Sequence, residues 1–208
     1  PEHADKLTAF VESIRAGPLG ATLRFEVVAA RADDPQALRG LGTYGLIRNP
    51  AAFIIGAASP GIRNLEDYGY GMEAAVLYAT DLGLGSCWLG GNFTRSTFAQ
   101  RIRATREEQV PAVVALGYAA QGNRSRDLIR LAARSNTRLP WEALFTASGL
   151  RVPLSREAAG AYAEPLEMVR LAPSASNRQP WRVVRDGSCF HFYLRRSTNT
   201  DPLRQQNA

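Results

Sequence analysis

Apolar and small residues recur at three- and four-residue steps over residues 65–82, where Leu65, Gly69, Met72, Val76, Ala79 and Leu82 fall on one side. That spacing predicts a long amphipathic helix, and Gly83 follows where a left-handed residue ends one. The small residues Gly69, Gly71, Ala74, Ala75 and Ala79 allow close packing, so this helix is expected to be central and largely buried. Leu7, Phe10, Val11 and Ile14 predict a second helix over 3–16, ended by Gly17-Pro18. Shorter helices are predicted over 94–102, 125–133, 155–162 and 166–171, with Pro165 between the last two.

The strand pattern is equally readable. Residues 23–29 and 86–89 are short strands, and 110–118 is a buried one. Residues 51–57 are almost uninterruptedly apolar after Pro50, which predicts a strand covered on both faces. Residues 181–185 and 189–194 flank Asp186-Gly187, a strong hairpin signal. On the last strand Phe190, Phe192 and Leu194 share a face, which puts His191 and Tyr193 opposite and makes His191 a surface residue. Helices and strands thus mix in an α+β pattern, without a short tandem repeat.

A chain of 208 residues, 45% hydrophobic and 21% charged, can bury one sizeable core or two packed halves. No apolar run reaches the roughly 18 residues of a membrane span, so no membrane partner is expected. Cys87 and Cys189 are far apart, and His3 and His191 have no metal-ligand spacing. Neither a disulfide framework nor a zinc site is expected, and low cysteine use fits a reducing cytoplasm. The net charge is +6 and Lys6 is the only lysine. The arginines cluster on polar helical stretches (Arg101, Arg103 and Arg106; Arg124, Arg126, Arg130 and Arg134), without a zinc-finger or aromatic RNA-binding motif. Attraction of anionic small molecules is the use this charge suggests, and no nucleic-acid partner is expected.

Gly83, Gly85, Gly90 and Gly91 superficially suggest a dinucleotide fingerprint. That fingerprint follows a strand and opens a helix, whereas here a helix precedes and a strand follows. Gly83 and Gly85 therefore serve as helix stop and turn. Gly90-Gly91, closing a buried strand, instead allows close approach of a ligand to the backbone.

The densest chemistry lies in Ala172-Pro-Ser-Ala-Ser-Asn-Arg-Gln-Pro-Trp181. Pro173 ends the preceding helix, and Ser174, Ser176, Asn177 and Gln179 offer uncharged donors and acceptors suited to the polar edge of a flat heterocycle. The plainer reading is a helix C-terminus with a Ser/Asn stop. This segment resembles the A-P-S-x-x-N-x-Q-P-W signature of the nitroreductase-like flavoproteins. Residues 68–91 resemble that family's central helix, turn and flavin-facing strand, and Arg138-Leu-Pro-Trp-Glu142 its basic segment.

The resemblance implies a nitroreductase-like α+β fold with a central mixed sheet around a buried core helix, and FMN as cofactor. It places Trp88, Leu89, Gly90 and Gly91 beside the N5 and O4 side of the flavin ring. It places Pro173, Ser174, Ser176, Asn177 and Gln179 along the pyrimidine edge and ribityl chain, and Arg138 at the phosphate. The late position of residues 172–181 resembles a branch in which one chain carries both halves, here 1–149 and 150–208, as an internal pseudo-dimer. On that basis the two ligand segments are expected to pack together, in a monomeric pseudo-dimer or a homodimer. The implied activity is NAD(P)H-dependent reduction of a nitroaromatic, quinone or similar small acceptor by hydride transfer through FMN, with no side chain required as general acid or base. The alternative is a flavin-binding storage or regulatory protein without turnover.

Overall fold

The computed structural model describes residues 2–30, 34, 36–45, 47–91, 93–118, 134–147 and 152–195. The helix expected over 125–133 lies outside them. The chain divides into two compact units, residues 1–121 and 122–208.

In the first unit, α1 (Glu2–Ser13), β1 (Leu23–Ala29), β2 (Ala52–Ala58), α2 (Asn64–Asp81), β3 (Gly85–Leu89), α3 (Arg95–Arg101) and β4 (Val113–Gly117) follow one another. The strands form one sheet in the order β1-β2-β4-β3, antiparallel throughout. β2 carries no polar side chain and is buried at all seven positions, which explains its place inside the sheet. Successive residues face opposite sides: Ala52, Ile54 and Ala58 join the core under α1 and α2, while Phe53, Ile55 and Ala57 join a second core with Phe93, Phe98 and Ile102. Gly56 has no such freedom, because a Cβ there would lie 2.4 Å from the Phe25 ring and 2.9 Å from Tyr68. Its bare backbone lets those two rings meet at 5.3 Å.

α2 lies within one residue of its predicted span. Asp67, Tyr68, Gly71, Met72, Ala75, Val76 and Ala79 are buried, but Tyr70 and Leu77 on the opposite side are each 63% exposed. The helix therefore covers one face of the sheet and leaves the other side open, and Gly69 belongs to the open side, with no atom within 4 Å of its Cβ position. Asp67 is a fully buried carboxylate that accepts from the Leu19 N–H at 2.8 Å and the Ala21 N–H at 2.7 Å. Those two bonds offset its desolvation and dock the α1–β1 turn on the helix. At the helix end Gly83 has φ +77°, and the Leu84 N–H returns to the Ala79 carbonyl, as the sequence predicted.

The edge strand β1 is tied to the segment after α3 by Arg24 and Glu108. Arg24 Nε donates to Glu108 Oε1 at 2.7 Å and Nη2 to Oε2 at 2.9 Å, a bidentate pair. The guanidinium holds the Glu108 carboxyl far below its usual range, at about 2. A depressed carboxylate stabilises the fold above its ordinary pKa and loses that contribution as pH falls through the folded value. Glu108→Gln should therefore cost about 1–3 kcal/mol near pH 7. The difference from wild type should shrink from about pH 4.5 downward, be small near pH 2, where the wild-type carboxyl is half protonated, and vanish below that. Urea titrations across that range measure it; a gap undiminished at pH 2 contradicts the assignment.

The second unit contains α4 (Trp141–Leu144), β5 (Phe145–Ala147), β6 (Val152–Pro153), α5 (Arg156–Ala159), a 3-10 turn (Gly160–Tyr162), α6 (Ala163–Leu171), a second 3-10 turn (Ala175–Asn177), β7 (Trp181–Asp186) and β8 (Cys189–Leu194). Its sheet runs β6-β5-β7-β8, with β5 and β7 parallel and the other pairs antiparallel. The mixed sheet is this smaller one. The β5–β7 pairing also places residues 134–147 with the second unit, whereas the sequence reading grouped them with residues 1–149. Trp141, Leu144, Phe145, Leu154, Ala159, Leu166 and Val183 form the core. The break expected at Pro165 is absent: α6 begins at Ala163, so Pro165 is its third residue, where the missing N–H has no intrahelical partner to lose. On β8 only Phe190 is partly covered; Phe192 and Leu194 are each 66% exposed, as is the opposite face with His191.

Candidate functional site

The second unit builds a polar cluster from residues 134–139 and 171–179. α6 stops as Pro173 requires, and Ser174 is extended at φ −149°, ψ 155°. The chain then turns through Ser176, Asn177 and Gln179 with φ of 52°, 53° and 46°. Asparagine tolerates the left-handed region; serine and glutamine have less reason to enter it. Each such residue costs on the order of 1–3 kcal/mol and persists only where its surroundings over-determine it.

Those surroundings are identifiable. Gln179 is 3% exposed; its Oε1 accepts from the Leu139 N–H at 2.7 Å, and its Nε2 donates to the Asn177 carbonyl at 3.2 Å and to Asn177 Oδ1 at 3.3 Å. The Gln179 N–H donates to Ser174 Oγ at 2.9 Å. Asn177 Nδ2 donates to the Arg134 carbonyl at 2.7 Å and the Thr137 carbonyl at 3.0 Å. Arg138 completes the network from the other side. Its Nη1 reaches the Ser135 and Thr137 carbonyls, each at 2.9 Å, and Asn177 Oδ1 at 3.3 Å. Its Nε and Nη2 both donate to the Leu171 carbonyl, at 3.2 and 3.0 Å.

Arg138, Ser174, Asn177 and Gln179 are thus brought together, while Pro173 and Ser176 stand exposed beside them. Most polar atoms of this group hold the loop itself. The Ser174 hydroxyl accepts one bond and keeps its proton to donate. The second N–H of Arg138 Nη2 meets no acceptor among the described residues. Two flanking polar atoms, Ser135 Oγ and Trp181 Nε1, are buried without a partner among the described residues. The carbonyls of Ser135, Thr137 and Leu171, which fix Arg138, were not visible in the sequence, because a main-chain acceptor leaves no side-chain signature.

The other predicted segment lies in the first unit, at the end of β3. Leu89 is buried, Trp88 is half-buried, and Gly90 and Gly91 are exposed. Trp88 Nε1 donates to Glu73 Oε2 of α2 at 3.0 Å, a partner the sequence reading missed. A Cβ at Gly90 or Gly91 would meet no atom within 4 Å, and neither residue has a left-handed φ. Neither packing nor backbone conformation among the described residues therefore demands glycine at these positions.

Among the described residues no group of His, Cys, Asp and Glu could hold a metal ion, and no helix is long and apolar enough to cross a membrane. Both cysteines are exposed.

The family model described as "Putative TM nitroreductase" matches residues 4–199. No curated protein matches the chain. Among solved structures, a "putative nitroreductase" from Thermotoga maritima MSB8 is 25% identical with a TM-score of 0.48, covering 73% of this chain and 56% of its own. A nitroreductase family protein from Clostridium difficile 630 is 16% identical at a TM-score of 0.46, covering 67% of this chain and 81% of its own. A nitroreductase with bound FMN from Bacteroides fragilis NCTC 9343 is 24% identical at a TM-score of 0.41, covering 58% and 79% respectively. The chain spans little more than half the length of the Thermotoga protein. With a family model matching nearly its whole length, and an α+β architecture in both units, the chain belongs to the nitroreductase family that this model describes.

Proposed function

We propose that this chain serves an FMN-dependent oxidoreductase that takes hydride from NAD(P)H and passes it to a nitroaromatic, quinone or similar small acceptor. The observation that carries this reading is the loop from Ser174 to Gln179. Three left-handed residues are held there by Arg138, Asn177 and the buried Gln179, an expenditure of strain typical of backbone set to receive a ligand.

The residues present suit FMN. In the second unit the Ser174 hydroxyl, the exposed Ser176 hydroxyl and the remaining N–H of Arg138 Nη2 are donors for the polar groups of ring, ribityl chain and phosphate. Pro173 stiffens the entry to the loop, and Asn177 and Gln179 hold its shape. In the first unit the exposed Gly90 and Gly91 offer backbone N–H groups directly after the half-buried Trp88 and the buried Leu89. FMN, when bound, supplies reversible two-electron hydride chemistry that no side chain offers. The protein's part is to fix orientation and to aim donors at atoms that gain negative charge when hydride arrives, which lowers the barrier without a general acid or base. The basic composition, a net charge of +6, favours approach of anionic nicotinamide dinucleotides.

Anaerobic addition of NADH or NADPH to the FMN-loaded protein tests the reading. The yellow absorbance should bleach, and a nitroaromatic or a quinone should restore it. Retention of colour with either nucleotide would instead favour the flavin-binding protein without turnover.

A further inference from the structure

Arg95 is a half-buried cation four residues after Gly91, and nothing in the functional reading uses it. Its guanidinium lies 5.4 Å from the centre of the buried Phe93 ring. Nη2 donates to the Pro111 carbonyl at a long 3.4 Å. Pro111 precedes Val113, the strand partner of Leu89, by two residues, so this carbonyl lies at the end of the sheet from which Gly90 and Gly91 depart. Among the described residues no carboxylate faces the guanidinium, and Nε, Nη1 and the second N–H of Nη2 have no acceptor. Burial lowers its pKa, opposed only by the neighbouring Tyr68. A partly desolvated cation with a single weak bond is one partner short of the arrangement proteins normally give buried charge. Its contrast in the same unit is Arg24, whose charge is met by both Glu108 and Glu26.

We propose that Arg95 receives the carboxylate of the electron acceptor at the Gly90-Gly91 turn, so that the protein prefers aromatic acids over neutral aromatics. The inference rests on the functional reading above. A guanidinium whose face rests on an aromatic ring presents its N–H edge, and that planar fork matches a carboxylate bidentately. The adjacent glycines carry no side chain that would block a flat ring attached to that carboxylate.

The test uses benzoate as an unreactive probe and 4-nitrobenzoate against nitrobenzene as acceptors. Calorimetric titration of benzoate, with and without FMN, should show saturable binding to wild type. Binding should weaken about tenfold or more in Arg95→Gln and to an intermediate degree in Arg95→Lys, which keeps the charge but loses the fork. The ratio of kcat/KM for 4-nitrobenzoate to that for nitrobenzene should fall by a similar factor in Arg95→Gln, while the Kd for FMN stays within about twofold. Equal benzoate affinity in all three proteins overturns the proposal, as does an unchanged ratio. Loss of FMN in Arg95→Gln also overturns it, because the anion would then be the cofactor's phosphate. Failure of wild type to take up FMN sinks the functional reading separately, and the flavin-free benzoate titration still decides the role of Arg95. Should Arg95→Gln melt early, the wild-type benzoate titration and Arg95→Lys carry the decision.

Discussion

Arg or Glu placed at Ala75 is expected to unfold the first unit. Ala75 has no exposed surface, and α2 presents it to a core that includes Leu7, Val11, Ile54, Met72 and Val114. Asp67, the charged side chain buried on that side of α2 among the described residues, is already committed to the Leu19 and Ala21 N–H groups. A long charged side chain there must either stay unpaired in apolar surroundings or push α2 off the sheet. An uncompensated buried charge costs about 3–5 kcal/mol, and overpacking adds roughly 1–3 kcal/mol. Together these rival the whole stability of a typical domain, about 5–15 kcal/mol. Leu77→Arg on the open side of the same helix, where Leu77 is 63% exposed, should change stability by no more than about 0.5 kcal/mol. Thermal melts followed by circular dichroism compare the two. A wild-type Tm for Ala75→Arg would refute the packing of α2 described here.

Removal of the Arg138 side chain should have the largest effect on the ligand site. Arg138→Ala deletes the donor for the Ser135, Thr137 and Leu171 carbonyls and for Asn177 Oδ1. Hydrogen bonds from a charged donor are each worth about 1.5–3 kcal/mol, so the strained turn loses its contact at Asn177 Oδ1 and the link from there to the Leu171 carbonyl. FMN affinity is expected to fall roughly ten- to a hundredfold, and Asn177→Ala should follow in the same direction to a smaller extent. Riboflavin, which lacks the phosphate, separates the two ways Arg138 can act. If Arg138 positions the loop as well as the phosphate, riboflavin affinity falls too, though less than that of FMN. An unchanged affinity for riboflavin would confine Arg138 to the phosphate, and unchanged affinity for both would remove it from the site.

What the sequence disclosed follows from the range of the forces involved. α2 and β2 were legible because a local period of 3.6 or an unbroken apolar run states directly which surfaces must leave water. The open side of α2 was not legible, since Tyr70 and Leu77 are apolar and look like core until the sheet shows which side it occupies. Pro165 suggests a break because the rule against proline applies to helix interiors; whether it lies in the interior depends on where the helix starts, and Ala163 starts it. The grouping of Arg138 and Trp141 with the later segment rests on β5 pairing with β7, a contact between residues nearly forty positions apart that leaves no local trace. At the site, the residue types in 172–181 announced polar chemistry. That Asn177 and Gln179 spend most of it on holding the loop could be seen only once Leu139, Thr137 and Arg134 were in place. Arg95 carried no signal, because an arginine two residues after a buried phenylalanine is unremarkable until it is seen that no carboxylate faces it among the described residues.

The most direct measurement is a titration of FMN into the flavin-free protein, followed by the visible absorbance of the flavin and by calorimetry. A flavin site that uses the Ser174–Gln179 loop should give saturable binding, a perturbed flavin spectrum, and a Kd that rises roughly ten- to a hundredfold in Arg138→Ala. Absence of saturable binding by the wild-type chain, or a Kd indifferent to both Arg138 and Asn177, would contradict it.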